Sequence, residues 1–116
     1  MARRSVPRWW DYVRKILRDY PEIPPGRPED QSDDAKDREA VDRAIAATRQ
    51  RPDGAERLEL IRYVYWNRKL HRVKDAAPQL HISEATAKRW HGDFVRLVAE
   101  NRGFCVSGKD DTVKLS

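Results

Sequence analysis

The sequence has one cysteine, one methionine, two phenylalanines and no long apolar run among its 116 residues. Cys105 has no second cysteine with which to form an internal disulfide, so we expect an intracellular protein. A membrane span needs about 20 apolar residues, and no apolar segment follows Arg3, Arg4 and Arg8 as it would in a secretory signal. We therefore expect no membrane partner.

The signatures of common enzyme and metal sites are also missing. The sequence has no glycine-rich phosphate loop and no cysteine–histidine spacing typical of a metal site. His71, His81 and His91 are spaced so that they do not share one helix face. Cys105 would need a neighbouring base to act as a nucleophile, and Ser83 is better explained as a helix cap. We predict no catalytic residue, cofactor or metal, and hence a protein that is not an enzyme.

Charge is plentiful but unevenly distributed: 37% of the residues are charged and the net charge is +5. Residues 1–20 carry six basic and two acidic side chains, for a net +4. Residues 21–56 carry six basic and ten acidic groups, for −4, and residues 57–116 carry twelve and seven, for +5. This segregation suggests a polyanionic partner for the basic parts. A basic, solvated surface without any partner is the alternative.

Apolar periodicity predicts five helices, at about residues 8–20, 34–50, 55–67, 72–80 and 84–101. In the first, Trp9, Val13, Ile16, Leu17 and Tyr20 form one stripe. We expect Trp9 and Trp10 to lie in the core or at a docking contact rather than to stack on bases. The third helix is apolar around much of its circumference, which predicts that it is central and buried.

Two segments are predicted to lie outside the helical domain. Residues 21–36 are rich in proline and acidic side chains, which predicts a flexible acidic linker rather than a metal or nuclease site. Residues 104–116 form a tail that is equally compatible with a short hairpin and with disorder. The expected fold is all-α, a small helical bundle with an N-terminal amphipathic helix over 1–20 and a helical domain over 37–103.

The last two predicted helices have the spacing of a helix-turn-helix over residues 72–101. His81 to Ser83 form the break, and Ser83 is a good N-cap for the second helix. Pro78 inside the first helix and His81, where glycine is frequent, depart from the ideal pattern. Small Ala76 and Ala77 should let the two helices cross closely. The expected core under the turn consists of four apolar side chains: Leu80, Ile82, Ala87 and Trp90.

One side of the second helix faces solvent in this prediction and carries Glu84, Ala85, Lys88, Arg89 and Gly92. A helix of about 10 Å diameter fits the major groove of B-DNA, which is about 12 Å wide. Lys88 and Arg89 are suited to donate to guanine edges or phosphates, and Glu84 to accept from cytosine. Phosphate contacts are expected from residues before and within the motif: Arg68, Lys69, Arg72, Lys74 and Ser83. We predict that the helical domain over 37–103 binds double-stranded DNA; a purely structural helical hairpin is the alternative.

The order of several short segments resembles a known family. They are Trp9-Trp10-Asp11-Tyr12-Val13 with Tyr20-Pro21, Arg57-Leu58-Glu59-Leu60-Ile61, Val64-Tyr65-Trp66, Ala76-Ala77, Leu80-His81-Ile82-Ser83, Thr86-Ala87-Lys88-Arg89-Trp90-His91 and Phe94-Val95-Arg96-Leu97-Val98-Ala99. Together they resemble the ArpU/RinA-type late transcriptional regulators from phages and prophages of Gram-positive bacteria. The resemblance covers about residues 9–20 and 37–103, and the C-terminal half looks like the helix-turn-helix of sigma-factor region 4.

The resemblance implies a sequence-specific activator of late genes, such as packaging, structural and lysis genes, in the cytoplasm of a bacterial host. It implies that Glu84, Ala85, Lys88 and Arg89 are the recognition-helix contacts and that host RNA polymerase is a partner. Two other classes stay open, namely a DNA-packaging protein like a small terminase subunit and a helical protein–protein interaction module. The lack of a long heptad segment favours the regulator. Activator or repressor action and a homodimer are left open.

Overall fold

In a computed structural model, which describes residues 8–23, 32–67 and 71–104, the chain forms five α-helices. They are α1 (Arg8–Asp19), α2 (Asp33–Arg49), α3 (Gly54–Tyr65), α4 (Val73–Gln79) and α5 (Glu84–Arg102). A 3₁₀ turn, Tyr20–Glu22, follows α1. These ranges contain no strand, so the all-α prediction is confirmed for them. None of these helices is both long and apolar enough to span a bilayer.

The helix ends follow from local chemistry. The Ser32 and Ser83 hydroxyls accept hydrogen bonds from the backbone N–H groups of Ala35 and Thr86, at 3.2 and 3.0 Å, and so cap α2 and α5. Gly103 ends α5 in the left-handed region, with φ of 100°. Because apolar periodicity and these caps agree, each observed helix begins and ends within two residues of its predicted bounds.

Helix α5 is the central element, because it packs against all four other helices. Helix α3 is buried along much of its length, as predicted, but it is α5 that holds the bundle together. Alternation of large and small apolar side chains lets the helices approach closely. The most deeply buried large side chains come from four helices: Val13, Leu17, Val41, Leu60, Ile61, Val64, Val95 and Val98.

Helix α1 belongs to the same core as the rest of the bundle. Its residues Val13 and Leu17 are fully buried. The indole N–H of Trp66, just after α3, donates to the carbonyl oxygen of Leu17 at 2.8 Å. The N-terminal helix is thus packed on the helical domain.

The proline-rich segment between α1 and α2 is anchored at both ends. Ile23 is buried, and the guanidinium of Arg38 donates to its carbonyl oxygen. Helix α2 already begins at Asp33, so the last four residues of the predicted linker are helical. Residues 24–31 lie outside the described ranges. At the other end of the chain Phe104 packs on Tyr12, with ring centroids 5.5 Å apart, and the rest of the predicted tail, 105–116, is likewise outside them.

Candidate nucleic-acid interface

Helices α4 and α5 are joined by a turn, Leu80 to Ser83, that is closed by backbone hydrogen bonds. The N–H of Ile82 donates to the carbonyl of Ala77 at 3.1 Å, and the N–H of His81 to that of Pro78 at 3.2 Å. This pair of bonds is the Schellman arrangement, which places its fifth residue in the left-handed region. His81 has φ of 58°, as its position in the sequence suggested. The turn therefore fixes how α4 meets α5.

Small side chains bring α4 close to its neighbours. Ala76 and Ala77 are buried, and α4 contacts both α3 and α5. Pro78 is exposed and lies next to the last residue of α4, so the backbone N–H that it lacks would have served only the last turn of this short helix. The result is a seven-residue helix packed across the start of α5.

The first two turns of α5 have one side exposed to solvent and the other, with Ala87, buried. The structure brings the four predicted base contacts together there, with Glu84, Ala85, Lys88 and Arg89 all exposed. Glu84 and Lys88 form an ion pair of 3.0 Å between side chains that are 53% and 64% exposed. Arg89 makes no ion pair with any residue in the described ranges, so its guanidinium is available to an outside acceptor.

The residues predicted to contact phosphates differ in their exposure and in their partners. Lys74 on α4 is exposed and has no ion-pair partner within the part of the chain that the structure describes. Arg72 is exposed and lies 3.5 Å from the carboxylate of Asp75. Ser83 caps α5, and its hydroxyl also donates to the Thr86 hydroxyl at 2.9 Å. Arg68 and Lys69 lie outside the described residues.

Gly92 is not on the exposed side of α5, and that prediction is wrong. It is buried, because α1 crosses α5 at this point. A Cβ atom placed on Gly92 would lie 4.0 Å from the Trp10 indole and 3.9 Å from both terminal nitrogens of Arg96. Periodicity alone placed Gly92 outside, because no short-range signal records where a distant helix crosses.

His91 does not contribute to the basic surface, although it lies in the basic half of the sequence. It is buried, and its Nε2 lies 2.6 Å from the hydroxyl of Tyr65, which in turn accepts a hydrogen bond of 3.0 Å from Arg14. Burial, and then the charge of Arg14, lower the pKa of His91 to about 4. The ring is therefore neutral at neutral pH. The spacing from Ala87 through His91 to Val95 is a helical stripe and was the available signal for this burial.

A second cluster of charges lies beside this surface, where α5 meets the start of α3. The guanidinium of Arg57 lies over the Trp90 ring, 5.4 Å from its centroid, and 3.1 Å from the carboxylate of Asp93. The carboxylate of Asp53 lies 3.0 Å from the Nε atom of Arg57, and this guanidinium lowers the pKa of Asp53. Arg57, Trp90 and Asp93 border an open groove of about 240 Å³, which Arg51 and Arg96 also line. The cluster ties the start of α3 to α5 and leaves little net charge there.

The described ranges thus contain an exposed, partly unpaired basic helix start on a packed bundle. They contain no group of three or more potential metal ligands. No protein-family model, curated protein or solved structure matches the chain.

Proposed function

We propose that the protein is a sequence-specific DNA-binding transcriptional regulator that inserts the start of α5 into the major groove. The observation that carries the proposal is the exposed side of the first two turns of α5, on which Arg89 has no ion-pair partner in the described ranges. An α-helix has the diameter that the major groove admits. Beyond these turns one side of α5 is buried against the other helices, which holds the start of the helix in one orientation.

Each exposed side chain suits a particular base edge. Arg89 can donate two hydrogen bonds to guanine O6 and N7, and the methyl group of Ala85 can contact the C5-methyl of thymine. Glu84 can accept from cytosine N4, and Lys88, its ion-pair partner, can turn to a guanine or a phosphate. Because an exposed pair of this kind contributes only about 0.3–0.5 kcal/mol, exchanging it for DNA contacts costs little.

Contacts to the phosphate backbone would come from the side of α4. Lys74 and Arg72 are exposed there, and Arg68 and Lys69 precede them in the sequence. Ser83 at the start of α5 would contact the same backbone by exchanging its hydrogen bond to the Thr86 hydroxyl for one to a phosphate. Such contacts fix the orientation of a helix in the groove without reading sequence.

The biological role that we propose, activation of phage or prophage late genes together with host RNA polymerase, rests on the sequence resemblance. The same DNA-binding surface would also serve a packaging protein. Transcription is therefore tested separately from DNA binding.

The DNA-binding proposal is tested by selecting bound duplexes from a random pool with the wild type and with Arg89→Ala. The wild type should enrich one motif, and Arg89→Ala should lose roughly 1–3 kcal/mol of discrimination at one base pair of it. Arg43→Ala is the matched control, because Arg43 is an exposed arginine of α2 that forms an ion pair with Glu39. It should enrich the wild-type motif.

Two results would overturn this proposal. If the wild type enriches nothing, the protein is not a sequence-specific DNA-binding protein. If a Lys88→Ala/Arg89→Ala double variant enriches the wild-type motif with unchanged affinity, α5 is not the recognition helix. For the regulatory role, the selected motif is placed upstream of a promoter and transcribed with purified bacterial RNA polymerase. Stimulation supports the activator, and binding without stimulation favours the packaging class.

A further inference from the structure

The exposed surface of α5 continues beyond its first two turns. Ala85, Arg89, Gly92 and Arg96 are spaced at i, i+4, i+7 and i+11, so they form one stripe along the helix. The first two are exposed and Gly92 is covered, but Arg96 is exposed again, at 45% of its side chain. The stripe that begins with the proposed base contacts therefore ends on a cation.

The side chain of Arg96 folds back along this stripe. Both of its terminal nitrogens come within 3.9 Å of the point that a Cβ atom of Gly92 would occupy, and the Trp10 indole borders the same point at 4.0 Å. At this distance a Cβ atom would be in ordinary van der Waals contact with the guanidinium, which therefore packs directly over Gly92. It lies level with Gly92 and beside the N-terminal end of α1, which holds Trp10.

The position of Arg96 on α5 is compatible with a phosphate contact. A recognition helix lies in the major groove, so a phosphate strand flanks it on either side. Arg96 follows Arg89 by seven residues, which is about 10.5 Å along the helix axis and within about 20° of the same direction around it. With Arg89 against the base edges, the long side chain of Arg96 can turn to a phosphate of a flanking strand.

This strand is not the one that α4 faces. Gly92 lies about 140° around the helix axis from Ala87, the first buried residue of α5 after the turn from α4. Helix α4 packs at the start of α5, whereas α1 covers Gly92. The start of α5 would then be held between the two phosphate strands of the groove, by Lys74 and Arg72 on one side and by Arg96 on the other.

We propose that Arg96 is a DNA phosphate contact, seated in the space above Gly92 beside Trp10, on the groove edge opposite the contacts from α4. The inference rests on the proposed function and extends it to a second flank. Asp93 lies 3.4 Å from the Arg96 guanidinium, but in an exposed pair that a phosphate can replace. Arg96 carries no sequence information in this role, because it meets the backbone and not a base.

The test compares Arg96→Ala with Arg43→Ala. Both arginines are exposed and form an ion pair with a carboxylate on their own helix, at 3.4 Å for Arg96 and 2.6 Å for Arg43. Binding is measured by fluorescence anisotropy against salt, on a fluorescein-labelled duplex of mixed sequence and on the motif selected by the wild type. Circular dichroism verifies that the variants are folded.

Arg96→Ala should weaken binding to both duplexes by a similar factor, about fivefold, and reduce the slope of log affinity against log salt by about one. Arg96→Lys should keep the wild-type slope, and Arg43→Ala should bind as the wild type does. If Arg96→Ala has the affinity and the salt slope of the wild type, while Arg89→Ala still loses its discrimination at one base pair, this inference alone is overturned. Failure of the wild type to bind either duplex would overturn both it and the proposed function.

Discussion

The two ends of helix α5 are held in different ways. At its C-terminal end Arg102 lies 2.6 Å from the carboxylate of Asp37 on α2, and the two side chains are only 14% and 11% exposed. The Tyr12 hydroxyl of α1 donates to the same carboxylate at 3.3 Å. At its N-terminal end α5 has one ion pair among the described residues, that of Glu84 with Lys88. This pair lies within α5 itself and is mostly exposed.

This difference assigns the two ends different tasks. Contacts to α1 and α2 fix the C-terminal end, so the helix cannot turn about its axis without breaking them. The N-terminal end is held by its own cap and by α4, and its outward side chains contact no other helix through an ion pair in the described ranges. A recognition helix must be held rigidly while its outward side chains stay free of contacts to other helices, because binding then orders few additional groups.

The largest expected effect comes from breaking the anchored end. Asp37→Ala removes the acceptor of both Arg102 and Tyr12 and leaves a mostly buried guanidinium with only the more distant Asp33, at 3.3 Å. We expect a loss of about 2–3 kcal/mol in the free energy of unfolding, because a poorly solvated charge loses its partner. Urea denaturation followed by circular dichroism measures this loss.

The same experiment on the other end provides the control. Glu84→Ala also removes a carboxylate from an ion pair, but both partners are exposed, so the change should stay within about 0.5 kcal/mol. Equal losses for the two variants would contradict the view that only one end of α5 is anchored.

The middle of α5 gives the next effect, through pH. The folded-state pKa of His91, about 4, lies below the 6.5 of an exposed histidine. The unfolded chain therefore binds more protons between these values, so the stabilisation is complete above pH 6.5 and declines as the pH falls toward 4. We expect the free energy of unfolding to decrease by about 2 kcal/mol from about pH 8 to pH 5.

His91→Phe isolates this contribution, since it keeps a ring beside Tyr65 and Trp10 but cannot be protonated. Stability is measured by urea denaturation at several pH values above 5, where carboxylates contribute little. The variant should have a flatter profile than the wild type. Identical profiles would mean that His91 is not the group responsible.

The sequence predicted the secondary structure well because its signals are local. Ser83, Gly103 and the apolar stripes act over one or two helical turns, and such interactions do not depend on the rest of the fold. The exposed positions Glu84, Ala85, Lys88 and Arg89 were predicted for the same reason, since they lie at the start of a helix whose other side is apolar.

What the sequence could not predict depends on where α1 crosses α5. The burial of Gly92 results from the Trp10 indole, and the Asp37–Arg102 pair joins residues 65 positions apart. The charge totals counted Asp37 with the acidic segment 21–56 and Arg102 with the basic segment 57–116, whereas the fold pairs the two residues to close the bundle. The charge along a sequence therefore predicts the charge of a surface only when residues that pair with each other inside the fold are left out of the count.

The smallest effect concerns the two turns at the borders of α5, which have the same hydrogen bonds but different residues. Gly103 and His81 both adopt positive φ, at 100° and 58°. A histidine in this region carries steric strain of about 1–2 kcal/mol, of which the greater entropy of an unfolded glycine would offset about 0.5–1 kcal/mol. His81→Gly should therefore raise the free energy of unfolding by about 0.5–1 kcal/mol.

The reverse change at the other border is Gly103→Ala, which introduces a side chain where the backbone is left-handed. A Cβ atom there would meet no atom within 4 Å, so any effect comes from the backbone alone. We expect a loss of about 1 kcal/mol, measured by thermal and urea unfolding beside His81→Gly and His81→Ala. His81→Ala keeps the strain and should not stabilise. If His81→Ala stabilises the protein as much as His81→Gly does, the gain comes from loss of the imidazole. The turns at residues 81 and 103 would then differ in their side chains and not in backbone strain.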